Sequence, residues 1–231
     1  VGQFKGFTFG QTWTYFMDLA ATPSSIDFYG TNAIPFTRKP LVGYKYVKEE
    51  NYELAASIEN PNGNVFRTQD TVRHQVYPDV VGKFTKYLGP HHVQVAGIFR
   101  TFIYDNILTG NEEITKGFGA YVSGKAMIFE NLAIHGQVVY GKGIADYIAM
   151  DYVLVETTNG EFIPIRTFSS LLGIKYKVNF RSDVNVFASY VNLLDDEGLE
   201  ASFFNNGFQL NANYLYNILP SLRTGVEVIY G

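Results

Sequence analysis

Hydrophobic and polar positions alternate along most of this chain. Phe118, Ala120, Val122, Gly124, Ala126 and Ile128 interleave with Gly119, Tyr121, Ser123, Lys125 and Met127. Phe208, Leu210, Ala212, Tyr214 and Tyr216 interleave with Gln209, Asn211, Asn213 and Leu215. A period of two is the signature of a strand with two unlike faces, and no segment carries a 3.6-residue period. Read this way, the chain holds about eleven strands, near 3–14, 38–47, 51–60, 77–88, 91–103, 116–129, 131–141, 166–178, 181–193, 203–217 and 220–231. Most are ~9–13 residues long, against ~5–6 in ordinary sheets, and that length crosses a bilayer when tilted.

The connections alternate in length. Short ones fall at 48–50, 89–90, 130, 180 and 218–220; long ones fall at 15–37, 61–76, 104–115, 142–165 and 194–202. Short turns on one side and long loops on the other is the layout of an outer-membrane barrel, with the turns in the periplasm. A soluble sandwich or lipocalin-like barrel would show water a face rich in Lys and Glu. Here the polar set is Gly, Ser, Gln, Asn and isolated charges, while the apolar set ends in Tyr44, Tyr46, Phe129, Tyr140, Tyr176 and Tyr214, as an interfacial girdle does. The predicted fold is all-β, a transmembrane antiparallel β-barrel forming a single domain over 1–231. Eleven strands starting at the periplasm would finish outside. Single-chain bacterial barrels use even strand numbers, and lipid tolerates no open sheet edge. Strands are therefore expected before Val1 and after Gly231, which makes this chain a fragment of a larger barrel.

Composition supports the reading by exclusion. Among 231 residues, 46% are apolar, 16% aromatic and only 17% charged, which argues against disorder and against a charge-laced helical protein. Cysteine is absent, so disulfides, thiolate metal sites and cysteine nucleophiles are excluded. A net charge of −4 and a pI near 5.6 remove any nucleic-acid binding through bulk charge. No run of ~18 apolar residues exists, which excludes a membrane helix and leaves a barrel untouched.

Charge becomes informative once it is assigned to faces. The polar face carries eight basic residues (Lys39, Lys45, Lys83, Arg100, Lys125, Lys175, Lys177, Arg223) against five acidic ones (Glu53, Glu59, Asp79, Asp183, Glu227). The long loops hold about fourteen of the 22 carboxylates, among them Asp105, Glu112, Glu113, Asp195, Asp196, Glu197 and Glu200. A net-acidic chain is thus expected to enclose a net-basic lumen that favours anions. Arg38, Lys39, Lys45, Arg100, Lys125, His135 and Arg223 are the predicted pore-lining residues, with Arg38, Lys39, Arg100 and Lys125 placed at the eyelet. The 15–37 segment is long and begins apolar at Tyr15, Phe16, Met17 and Leu19, which suits a loop folded inward against the wall rather than one left in water. Asp18 and Asp27 of this constriction loop are expected to face Arg38 and Lys39.

Enzymatic chemistry finds little support. The four histidines are His74, His91, His92 and His135; neighbours on a strand point to opposite faces, so His91 and His92 make a poor metal chelate. His135 is followed by Gly136 and Gln137, not by the His-x-Ser arrangement of outer-membrane phospholipases. No catalytic residue, metal or cofactor is assigned.

Several segments resemble one porin family. Gly10–Asp18 reads GQTWTYFMD, then come Pro23, Ile26-Asp27-Phe28, Gly30 and Arg38-Lys39-Pro40. Glu59-Asn60-Pro61, Pro78-Asp79-Val80-Val81, His92–Gly97, Tyr140–Ile144 and Gly225–Gly231 follow in order. Together they are similar to the DcaP-like porins, departing at Tyr29-Gly30-Thr31, where the family has x-G-P, and at Lys39, where it usually has Gln. The resemblance implies a trimeric, sixteen-stranded porin of a Gram-negative outer membrane, set among lipid and lipopolysaccharide. It also implies an inward loop and passage of small anionic solutes, dicarboxylates among them. Small outward residues (Ala120, Gly124, Ala126, Gly136) would let barrels approach closely. The competing class is a structural barrel sealed by its loops within a larger assembly.

Overall fold

The computed structural model describes residues 1–27, 30–48, 51–61, 73–74, 77–106, 108–148, 153–156, 160–194 and 205–231. Most of the predicted loops 61–76 and 194–202, with Asp195, Asp196, Glu197 and Glu200, lies outside them. Fifteen strands are described: β1 (Gly2–Phe4), β2 (Phe7–Trp13), β3 (Arg38–Lys48), β4 (Tyr52–Glu59), β5 (Arg73–His74), β6 (Asp79–Leu88), β7 (His91–Asn106), β8 (Asn111–Phe129), β9 (Leu132–Lys142), β10 (Leu154–Glu156), β11 (Phe162–Pro164), β12 (Arg166–Lys177), β13 (Ser182–Leu193), β14 (Asn206–Leu219) and β15 (Leu222–Tyr230). One antiparallel sheet runs β1-β2-β3-β4-β6-β7-β8-β9-β12-β13-β14-β15; β5 adds to β7, and β10 and β11 form a separate hairpin.

Eleven of these are the long strands that the alternation predicts, and two differences are instructive. The predicted strand 3–14 is a hairpin: Lys5 and Gly6 take φ of 46° and 87°, positive at both central positions as a type I′ turn requires. The predicted loop 104–115 is mostly strand, because β7 and β8 pair onward through Asp105–Glu112 to Asn106–Asn111.

The two faces of the sheet are inverted relative to a water-soluble protein. On β7, Val93, Val95 and Phe99 are exposed while His92, Gln94 and Arg100 are buried; on β9, Val138 and Tyr140 are exposed while His135 and Gln137 are buried. Exposed apolar and enclosed polar residues suit a wall with hydrocarbon outside and water inside. All thirteen charged residues assigned to the polar face from sequence fall on the inner one.

Two segments cover that inner face. Residues 14–27 and 30–37 fold onto it after β2, and 143–148 fold onto it after β9. Tyr15 N–H donates to Glu59 on β4 (2.9 Å), and Ile26 N–H donates to Glu227 on β15. Eight inter-strand steps separate those carboxylates, about 38 Å along a flat sheet. Eleven residues would span that only at nearly full extension, whereas this stretch contains a 3₁₀ turn at Leu19–Ala21. The sheet is therefore curled around the segment. Glycines on the inner wall admit the close contact. A Cβ on Gly43 would lie 2.7 Å from the Tyr15 ring, and one on Gly173 would lie 3.1 Å from Pro23. Ile144 presses on Gly119 in the same way, at 2.8 Å.

Candidate functional site: the lumen wall and its two inward segments

Toward the long-loop end, β3, β4, β6 and β7 bring Lys39, Glu59, Asp79 and Arg100 to one spot on the inner face. The segment after β9 adds Asp146 and Tyr147. Arg100, with no exposed surface, donates to Asp79 Oδ1 (3.0 Å), to both Asp146 oxygens and to the Gly143 carbonyl (2.6 Å). Lys39 lies 3.1 Å from Asp79 and 3.5 Å from Asp146, above the Tyr147 ring. The Tyr147 hydroxyl reaches Asp79 (2.9 Å) and Glu59 (3.2 Å), while Glu59 also accepts from Tyr15 N–H and Ser57. Burial, with Asp79 and Glu59 alongside, holds the Tyr147 phenol well above its usual pKa, so it stays a donor. Both inward segments are thus tied to the wall through one buried network, further joined where Phe36 N–H donates to the Tyr147 carbonyl (2.9 Å).

This arrangement corrects the predicted eyelet. Lys39 and Arg100 are on the inner face as expected, but both are buried and paired with Asp79 and Asp146, so neither presents free charge to a solute. Arg38 is on the opposite face. Strand neighbours alternate, so with Lys39 turned inward Arg38 turns outward, over the Trp13 ring and within 3.5 Å of the Gln11 carbonyl. Asp18 does not meet Arg38 or Lys39 either. Its Oδ1 caps the 3₁₀ turn through Ala20 and Ala21 N–H, and its Oδ2 pairs with His92 Nε2 and Ser123 Oγ, each at 2.7 Å. Asp27 lies beyond the turn, beside a 640 Å³ cleft lined by Asn32, Ser189, Asn206 and Gln209.

The accessible positive charge sits toward the short-turn end. Lys45 and Lys83 flank Glu53 at 2.9 and 3.1 Å, beside a 300 Å³ cavity beneath Asp18 and Tyr15. Lys175 and Arg223 share Asp183. Lys125 and Lys177 make no ion pair among the described residues. His135 lies on the same face, directly across from Lys125. Six basic side chains face four acidic ones in this half (Asp18, Glu53, Asp183, Glu227), whereas the network at the other end sets two against three. The sequence gives no sign of this: Asp146 and Tyr147 lie in a segment without periodicity, and the inner glycines read only as small residues. Among the described residues no three His, Asp or Glu side chains are grouped to hold a metal ion.

A curled antiparallel sheet with an apolar outer face, a charged inner face and inward-folded loops defines the class: an outer-membrane β-barrel. Among solved structures the chain is similar to the outer membrane channel DcaP of Acinetobacter baumannii, with a TM-score of 0.83 at 17% identity over 97% of this chain and 64% of that one. It is also similar to a loop-deleted form of OmpT, an outer membrane protein of Vibrio cholerae, with a TM-score of 0.56 at 14% identity over 97% and 69%. The likeness establishes the fold, and the chain spans about 64% of the length of DcaP. No protein-family model and no curated protein matches the chain.

Proposed function

We propose that the protein is a passive channel of the Gram-negative outer membrane for small hydrophilic solutes, preferring anions such as carboxylates. The observation that carries this reading is the inner wall. It keeps thirteen charged side chains of the strands, with His92, Gln94, His135 and Gln137 among them, on the enclosed face, and its uncompensated charge is basic. With the short turns at the periplasm, that excess lies in the periplasmic half. Solutes entering past the loops then meet a weakly acidic narrowing before a basic vestibule. Low-dielectric walls focus the field of such a vestibule onto the water path.

Conductance of the full-length protein in planar bilayers is the test, with a KCl gradient to read selectivity. A reversal potential favouring Cl⁻ is expected; cation selectivity would overturn the anion assignment. A barrel sealed by its loops remains the competitor, favoured by the buried network that clamps both segments, and silent membranes despite verified insertion would establish it. Assembly as a homotrimer is part of the proposal. It is supported by the sequence resemblance and by an apolar outer groove of about 770 Å³ over Gly124, Gly136, Leu172 and Ala188. Native mass spectrometry in detergent is expected to give three copies, and monomers alone would remove it.

A further inference from the structure

His135 is 4% exposed, with the Ala21 carbonyl beside it, and neither ring nitrogen makes a well-formed hydrogen bond. A buried imidazole left this way is less stable than one that is satisfied. It is not hidden in an apolar core. Lys125 stands directly opposite on β8, where Cβ atoms lie about 5 Å apart. On β12, Gly173 is opposite His135, and Lys175 follows two residues on, opposite Ala133. That diagonal is about 7–8 Å, and Gly173 and Ala133 put no bulk between the two side chains. The turn of the constriction segment lies over this spot, with Gln137 Nε2 donating to the Ala21 carbonyl (3.1 Å) and Pro23 against Gly173. Lys125 has no ion-pair partner among the described residues, and Lys175 shares Asp183 with the closer Arg223.

We infer that Lys125, His135 and Lys175 form a binding subsite for a small oxyanion, a carboxylate or phosphate, at the foot of the constriction segment. Three side chains on three adjacent strands stand together on the inner face there, two ammonium groups flanking one imidazole. One oxyanion would satisfy the orphaned ring and supply the counter-charge that Lys125 lacks. Two lysines on separate strands suit an anion with more than one oxygen to share, so chloride would bind more weakly. The other basic side chains of this half do not offer the same site, because Lys45 and Lys83 already converge on Glu53. The inference deepens the anion-channel reading and rests on it for its biological sense, but its test does not depend on conductance.

The test is calorimetric titration of the detergent-solubilised full-length protein with acetate, succinate and inorganic phosphate, compared with chloride. Saturable binding of at least one oxyanion is expected, with succinate and phosphate distinguishing carboxylate from phosphate preference. Lys125→Gln and Lys175→Gln should each weaken it about tenfold, the loss expected of one charge-assisted contact. Lys125→Arg should restore binding, and Lys45→Gln should leave it unchanged. His135→Gln separates the ring from the lysines and should reduce affinity without abolishing it. Retention of the β-sheet circular dichroism spectrum confirms that each variant is folded. Absence of saturable binding, or equal binding by wild type and both Lys→Gln variants, overturns the site even if the channel conducts. Binding that follows the variants in a protein silent in bilayers upholds the site and removes the channel reading instead.

Discussion

Tyr15 lies flat against Gly43 because that position has no side chain, and a single methyl group there has nowhere to go. Gly43→Val would drive β-branched bulk into a ring 2.7 Å from the Cβ position. It should cost about 1–3 kcal/mol, as overpacking does, seen as a lower thermal midpoint. An unchanged midpoint would mean that the segment is not seated as described. Arg100 and Arg38 make a second contrast at this scale. Arg100→Met takes the guanidinium from the buried carboxylates of Asp79 and Asp146, which keep Lys39 beside them, and should destabilise by about 3 kcal/mol. Arg38→Ser touches only the outer face near Trp13, so the reversal potential should stay where it was, whereas Lys125→Gln should move it toward cations. A shift for Arg38→Ser equal to that for Lys125→Gln would return Arg38 to the lumen. The alternation rule alone forbade placing Arg38 and Lys39 on one face, and that was readable from the sequence. The partners of Lys39 and Arg100 were not, because Asp146 and Tyr147 arrive from a segment whose pattern carries no period.

At the scale of elements, membrane contact decides what sequence can reveal. Where strands cross lipid, one face must be apolar, and the period of two stands out in β8, β9 and β14. Beyond the membrane that requirement lapses. Asp105, Asn106, Glu112 and Glu113 continue β7 and β8 as a hairpin although they read as loop, because cross-strand bonding persists after the apolar face has ended. The segment after β2 was legible as an inward element from its excess of apolar residues. Its anchor was not, since Asp18 is held by His92 and Ser123 from 74 and 105 positions away. Asp18→Ala removes the cap on the 3₁₀ turn and leaves both wall partners without their acceptor. The segment should loosen, raising single-channel conductance and exposing the Leu19–Ala21 turn to limited proteolysis. Unaltered conductance together with unaltered cleavage would show that the other anchors suffice.

For the whole molecule, charge is sorted along the barrel axis rather than spread evenly around it. A balance of eight basic to five acidic residues on the strands overstated the excess, because the inward segments bring Asp18 and Asp146 into the same space. What survives is polarity: compensated or slightly negative toward the long loops, positive toward the short turns. The two ends therefore do not present the same barrier to an ion. As the channel proposed above, such a barrel would be a diode of modest quality, filling with mobile anions under one sign of voltage and emptying of them under the other. Current–voltage curves in dilute salt should bend. In ~1 M salt, where screening contracts to ~3 Å, they should straighten. A straight curve in dilute salt would mean that the axial sorting does not reach the conducting path. In a cell the proposed channel would then pass current more readily under one sign of membrane potential than the other, while equal electrochemical potential on both sides would still give no net flow.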